Sequence, residues 1–267
     1  MFYNAMESDV VLDNGKVHYL SFGKGDKTLV MIPGLRLSNI DGAARVVAMY
    51  YKIFSKKYRV YMFDRKDNIH EGYTNHDIAD DTVEAITRLG LKDIYLFGAS
   101  QGGLISQDIT INHPELVKKL VLAVTLSKPN DTIKENIGHW LELSGNDDLY
   151  KVAEDYTYKG FSEGYLKKYR AFIPLFIKTQ KFMSVDRFMI LANACLTCDT
   201  YDRLDEIKCP VLVLGGGKDK IVSGEASIEI ADKLGCEYYI YEDLSHEAYN
   251  EAKDFNKRIY EFFEKDN

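Results

Sequence analysis

Residues 94–105 read Ile94-Tyr95-Leu96-Phe97-Gly98-Ala99-Ser100-Gln101-Gly102-Gly103-Leu104-Ile105. Four strand-prone residues run into Gly98-Ala99-Ser100-Gln101-Gly102, and an apolar-periodic segment starts at once. A strand-to-helix turn this abrupt must reverse within a few residues. Glycines on either side of the serine remove the Cβ atoms that would meet neighbouring backbone, and the hydroxyl is pushed into the open. In this setting G-x-S-x-G is a nucleophile elbow, with the N–H of Gln101 and the helix N-terminus facing the spot where an oxyanion would form. The alternative is a glycine-rich turn in which Ser100 only caps the helix.

The flanking sequence supplies the context. Asp13-Asn14-Gly15 marks a tight hairpin between Val10-Val11-Leu12 and the alternating segment Lys16–Phe22. Thr28–Ile32 is a continuous apolar run, as expected of a strand buried on both faces, and it ends at Pro33-Gly34. A helix carrying Val46, Val47, Tyr50 and Phe54 precedes the strand Tyr58–Phe63, and Thr74 with Asp77 forms a capping-box pattern for the next helix. The helix after Ser100 runs to Asn112-His113-Pro114, and Lys119–Val124 is again a strand. Strands alternating with helices predict a mainly parallel, doubly wound α/β sheet, in which ligands bind beyond the carboxyl ends of the strands.

Between about Leu126 and Asp205 the alternation stops and successive helical patterns follow one another. Asp131 is expected to cap a helix carrying Ile133, Ile137, Trp140 and Leu141. Ser184 is expected to cap another carrying Val185, Phe188, Ala192 and Cys195, and Pro174 to break the pattern between them. The parallel pattern resumes at Pro210–Leu214, with a helix over about 223–234, the strand Glu237–Tyr241 and a terminal helix carrying Phe255, Ile259 and Phe262. No internal repeat or low-complexity tract interrupts it.

A serine hydroxyl is a poor nucleophile unaided, so the functional reading of Ser100 needs a histidine base and a carboxylate to orient it. Asp219 follows the strand ending at Leu214, and His246 follows the next strand, in Asp243-Leu244-Ser245-His246-Glu247. The order Ser100, Asp219, His246, each on a loop at a strand's carboxyl end, is the nucleophile, acid and base order of this topology. Asp131 is the alternative acid, after the sixth strand. His18, His70, His76, His113 and His139 are left without a role.

Together LVMIPG, YMFDR, ADDTVEAITRLGLKDIYLFGASQGGLISQ, HPELVKKLVL, PVLVLGGGKD and SHEAYNEAKDFNKRIYEF resemble the α/β-hydrolase fold superfamily, in particular a serine-nucleophile, esterase-like member with a helical cap. The resemblance covers residues 1–125 and 202–267 as the core and leaves 126–201 as the inserted cap or lid. It implies that Leu35, after Pro33-Gly34, supplies a second oxyanion N–H beside that of Gln101. Many relatives carry His-Gly where this chain has Pro33-Gly34, and Asp64-Arg65 lacks the usual glycine-rich continuation.

Substrate choice would lie with the cap. Trp140, Tyr156, Tyr158, Phe172, Phe176, Phe182 and Met183, together with Gly34, are candidates to line an apolar acyl pocket, although cap helices need such residues for their own core as well. The expected function is hydrolysis of a small, fairly apolar carboxylic ester, thioester or lactone through an acyl-enzyme. A carbon–carbon bond hydrolase or cofactor-free perhydrolase on the same three residues, or a receptor with vestigial hydrolysis, stays open. No cofactor or metal is called for.

Composition narrows the partners. In a 267-residue chain with 46% hydrophobic and 28% charged residues a sizeable core can be buried. A net charge of −7 with interspersed lysines argues against nucleic acid. No basic leader with an apolar run opens the chain and no stretch is long enough to span a bilayer, so no membrane partner and a cytoplasmic location are expected. Four scattered cysteines are consistent with a reducing compartment, and Cys195-Leu196-Thr197-Cys198, without a second such pair or a nearby histidine, reads as structural. A small acyl substrate is the expected partner, and a homodimer stays open.

Overall fold

The computed structural model describes residues 3–145 and 148–266. In chain order the elements are β1 (Met6–Leu12), β2 (Gly15–Gly23), β3 (Lys27–Ile32), α1 (Ala44–Tyr50), β4 (Tyr58–Phe63), α2 (Asn75–Arg88), β5 (Ile94–Ala99), α3 (Gln101–Asn112) and β6 (Val117–Ala123). Five helices follow: α4 (Asp131–Ser144), α5 (Leu149–Gly160), α6 (Glu163–Tyr169), α7 (Ile173–Lys178) and α8 (Val185–Ala194). Then come β7 (Val211–Gly216), α9 (Gly224–Leu234), β8 (Glu237–Tyr241), α10 (Ala248–Glu251) and α11 (Phe255–Glu264).

The strands form one sheet in the order β1-β2-β4-β3-β5-β6-β7-β8. β1 and β2 pair antiparallel with each other, as do β2 and β4, and every other pairing is parallel. The opening hairpin places Leu12 opposite Gly15, so the loop is Asp13-Asn14, and Gly15 takes a φ of 115° at the first position of β2.

Successive strand residues face opposite sides of the sheet, which is why the central strands are apolar throughout. Val30, Ile32, Leu96, Leu120, Leu122 and Val213 pack under α2, α3 and α9 through Ile78, Ile86, Ile105, Ile109 and Ile230. Leu29, Met31, Phe97, Val121, Leu212 and Leu214 pack on the other side against Ala44 and Ala48 of α1 and Phe255, Ile259 and Phe263 of α11. Two cores on one sheet fix its position, and with it the row of strand ends from which the site is built.

Local signals explain the helix boundaries. Thr74 Oγ1 accepts from the Asp77 N–H while the Asp77 carboxylate accepts from the Thr74 N–H, completing the capping box of α2. Ser184 caps α8 by accepting from Arg187 N. At α4 the cap is Asn130 rather than Asp131: the Asn130 side chain accepts from Ile133 N, and Asp131 becomes the first helical residue, where a carboxylate suits the positive end of the helix. Pro174 sits in the first turn of α7, where its missing N–H costs nothing. Among the described residues no helix is long and apolar enough to cross a membrane.

Candidate active site

β5 delivers Ser100 into a conformation few residues adopt, with φ 53° and ψ −123°. Two close approaches enforce it. A Cβ on Gly98 would stand 2.3 Å from the Gly102 carbonyl oxygen, and one on Gly102 would stand 1.9 Å from that of Ile32. Only hydrogens fit there, so the chain can turn sharply and α3 can start directly at Gln101. The Ser100 carbonyl accepts from the N–H groups of Gly103 and Leu104 and from the Thr125 hydroxyl at 2.8 Å, which ties the elbow to the segment after β6. Val124, next to it, takes φ 44°, an unusual conformation for a β-branched residue.

The loops after β7 and β8 bring the other two residues in. His246 Nε2 lies 2.9 Å from Ser100 Oγ, and His246 Nδ1 lies 2.8 Å from Asp219 Oδ2. Asp219 Oδ1 accepts from Ile221 N and Val222 N at 2.8 and 3.0 Å, so both carboxylate oxygens are occupied and the group cannot rotate freely. His246 is 1% exposed, whereas Ser100 is only half-buried and can be reached. Burial pulls the His246 pKa down, but the charge and hydrogen bond of Asp219, with Glu247 adding to them, outweigh it and leave the net shift upward.

Beside the serine, Gly34 is so close that a Cβ on it would stand 3.0 Å from Ser100 Cβ. Among the described residues neither Leu35 N–H nor Gln101 N–H donates to a protein acceptor. Arg65 is a neighbour of Ser100's loop that sequence reading did not single out. Its guanidinium, buried within the protein, donates to the Pro33 carbonyl at 2.7 Å and to Gln101 Oε1 at 3.1 Å, bridging the two segments that carry those N–H groups. Gln101 Nε2 in turn donates to the Leu191 carbonyl on α8 at 2.8 Å. The Asp-Arg pair after β4 was the only signal for this brace in the sequence.

The inserted helices are attached to both loops. Asn136 Nδ2 donates to the Lys220 and Ile221 carbonyls, and Asn130 Nδ2 to that of Val222, so α4 and its cap hold the Asp219 loop. On the histidine side, Ser245 Oγ donates to the Lys159 carbonyl at 2.7 Å and Glu247 N to that of Gly160 at 2.8 Å. The buried Glu247 carboxylate accepts from the hydroxyls of Tyr156 and Tyr249 and from Asn250. The Tyr156 ring stands edge-on to His246 with centroids 6.3 Å apart.

The expected pocket residues fare differently. Trp140 is buried in a cluster in which Ile133, Ile137 and Phe188 meet Leu104 of α3 and Ile221 and Val222 of the Asp219 loop, and its indole N–H donates to Asp155 at 2.7 Å. Phe172 and Phe176 are 66% and 63% exposed, because α7 turns Ile173 and Ile177 inward instead. Of the four expected lining residues, Gly34 stands at Ser100, Trp140 is buried, and Phe172 and Phe176 are corrected to an outward-facing position. A cavity of about 650 Å³ lies along the far edge between β8 and α11, lined by Tyr238, Tyr239 and Arg258, and none of Ser100, Asp219 and His246 borders it.

The remaining histidines pair locally: His18 with Asp9, His76 with Asp108, His113 with Glu115, His139 with Asp155, and His70 with the Glu71 carbonyl. Cys195 and Cys198 are buried free thiols whose pKa values burial pushes up to about 12. Among the described residues no grouping of His, Cys, Asp and Glu could hold a metal ion.

Comparison with known proteins agrees with the architecture. The chain is 26% identical over 266 residues to a protein assigned as the carbamate hydrolase RutD of Rhizobium rhizogenes, covering 88% of this chain and 92% of the relative. It is also 26% identical over 277 residues to the 2-hydroxy-6-oxononadienedioate/2-hydroxy-6-oxononatrienedioate hydrolase of Escherichia coli O139:H28, covering 98% and 94%. Among solved structures, MGS-M2, an α/β-hydrolase enzyme from a Medee basin deep-sea metagenome library, superimposes with a TM-score of 0.85 at 19% identity, over 97% of this chain and 98% of that one. The chain is a hydrolase of the α/β-hydrolase superfamily and belongs to the family described as Serine aminopeptidase, S33 (Hydrolase_4), whose model matches residues 43–253.

Proposed function

We propose that the protein is a serine hydrolase that cleaves a small, fairly apolar carboxylic ester, thioester or lactone through an acyl-enzyme. The observation that carries this reading is the unbroken hydrogen-bonded line from Ser100 Oγ through His246 to Asp219. In the first step Ser100 Oγ attacks the acyl carbon while its proton passes to His246 Nε2. Asp219 keeps Nδ1 protonated and faces the imidazolium that forms. The carbonyl oxygen takes up the negative charge between the N–H groups of Leu35 and Gln101, and the α3 N-terminus favours it there. His246 returns the proton to the leaving group, and water, deprotonated by the same imidazole, then releases the acid.

In this reading residues 1–125 and 202–267 form the catalytic core and 126–201 a cap. The hydrogen bonds of α4 and α5 to the acid and histidine loops support a cap whose placement is coupled to the site. A carbon–carbon bond hydrolase using the same three residues is the second reading, and the 26% identity to the Escherichia coli hydrolase over nearly the whole chain favours keeping it.

The test is turnover of acyl esters, thioesters and lactones across chain lengths, with a carbamate and a vinylogous 1,5-diketone alongside, and Ser100→Ala as the blank. Multiple turnover of an ester or lactone that disappears in the blank supports the first reading. Turnover of the diketone alone would replace it with the second. Saturable binding without multiple turnover of any of them would overturn both.

A further inference from the structure

The segment 164–185 carries five cations, Lys167, Lys168, Arg170, Lys178 and Lys181, and no acidic residue, within a chain whose net charge is −7. All five are exposed, and among the described residues none forms an ion pair. Between them lies α7, whose two faces are both apolar. Ile173 and Ile177 are buried against Ala153, with Leu37 and Leu166 packed on them. Phe172, Leu175 and Phe176, spaced to share the opposite face, are 66%, 64% and 63% exposed.

Large apolar side chains left in water beside four lysines and an arginine without ion-pair partners describe a surface that enters the headgroup region of a bilayer, with the rings inserted and the cations among anionic lipids. A second copy of the chain fits less well, because a twofold contact on this face would set five unpaired cations against the same five. A peripheral contact needs no crossing helix. We propose that Phe172 and α7, with the cations Lys167, Lys168, Arg170, Lys178 and Lys181, form a docking surface for an anionic lipid bilayer.

The inner face of α7 connects this surface to the site. Ile173 and Ile177 rest near Leu37, two residues beyond Leu35, and the Leu37 carbonyl accepts from Met183 N at 2.8 Å. The docking surface thus backs onto the segment that leads to Gly34 and Ser100. The proposal concerns binding and stands independently of the bond that is cleaved.

The experiment is co-flotation of the full chain, without substrate, with vesicles of phosphatidylcholine alone and of phosphatidylcholine doped with phosphatidylglycerol. Binding to the doped vesicles that weakens with added salt is expected. Phe172→Ser with Phe176→Ser should weaken it at least about tenfold by removing the inserted rings, and Lys167→Gln with Lys168→Gln by about 30-fold. Val46→Ser with Met49→Ser alters a different exposed apolar stripe, on α1, and should leave binding unchanged. Thermal melting of each variant checks that it folds, and all six positions are exposed.

Absence of flotation with the doped vesicles overturns the proposal. So does flotation that survives the α7 substitutions or is released equally by the α1 pair. A dimer in sedimentation that Phe172→Ser with Phe176→Ser disperses would assign the face to a second copy and likewise overturn it.

Discussion

The Arg65 guanidinium donates to Gln101 Oε1 at 3.1 Å while also donating to the Pro33 carbonyl at 2.7 Å. One side chain thus spans the two segments whose N–H groups would receive the oxyanion. Arg65→Met should leave KM within a few-fold and lower kcat by about 10–100-fold, because displaced donors matter most when charge develops. Steady-state kinetics on an ester that the enzyme turns over would check this. A rise in KM with kcat unchanged would instead assign Arg65 to substrate binding.

Asp219→Asn should fold, since an amide oxygen can still accept from Ile221 N and Val222 N. Its NH2 group would then face His246 Nδ1 and favour the tautomer that cannot accept the serine proton. A fall in kcat of about 10⁴-fold is expected, with the melting temperature little changed. Unaltered turnover in this variant, with loss in Asp131→Asn, would move the acid to the segment after β6.

Acylation needs neutral His246, and the Asp219 and Glu247 carboxylates raise its pKa against the opposing effect of burial. The acidic limb of kcat/KM should therefore lie above the ordinary histidine value of about 6.5, with activity rising as pH passes through the raised pKa. The stabilising contribution of the charged imidazole runs the other way: it is full below the unfolded-state pKa and is lost as pH rises through the folded one. A flat profile for a neutral ester from about pH 5 to 8 would remove His246 as the base.

Glu247→Gln keeps the shape but removes a buried negative charge next to His246. The limb should move to lower pH, because one of the influences raising the imidazole pKa is gone. Tyr156→Phe keeps the charge and should leave the limb above 6.5 while loosening α5 from the histidine loop. Comparing the two pH profiles separates charge from anchoring.

Away from the site, Glu264 accepts from Lys27, Lys57 and Tyr58. Burial pushes its pKa up, but these three partners together lower it from 4.5 to about 2. The stabilisation is present above the unfolded-state value and is lost as pH falls towards about 2. Glu264→Gln should cost about 1–2 kcal/mol near neutrality, after allowance for the exposed lysines, and the difference from the parent chain should shrink in acid. Urea melts at several pH values would show it.

What the sequence determined by itself is what short-range chemistry controls. Apolar runs of strand length set the buried parallel strands, and Gly98 and Gly102 around Ser100 permit a turn that a Cβ at either position would block. The loops after two later strands carry Asp219 and His246 to the same edge as Ser100, because a parallel sheet sends every strand's carboxyl end to one edge.

Tertiary structure alone decided the rest, since those partners are far apart in the chain. Arg65 and Gln101 are 36 residues apart, Ser100 and Thr125 are 25, and Tyr156 and Glu247 are 91. No local period announces such pairs. The outward placement of Phe172 and Phe176 has a related reason: the stretch 172–177 is apolar on both faces, so its sequence cannot say which face meets a neighbour. Packing against Ala153, Leu37 and Leu166 chose Ile173 and Ile177, and left Phe172 and Phe176 to the outside.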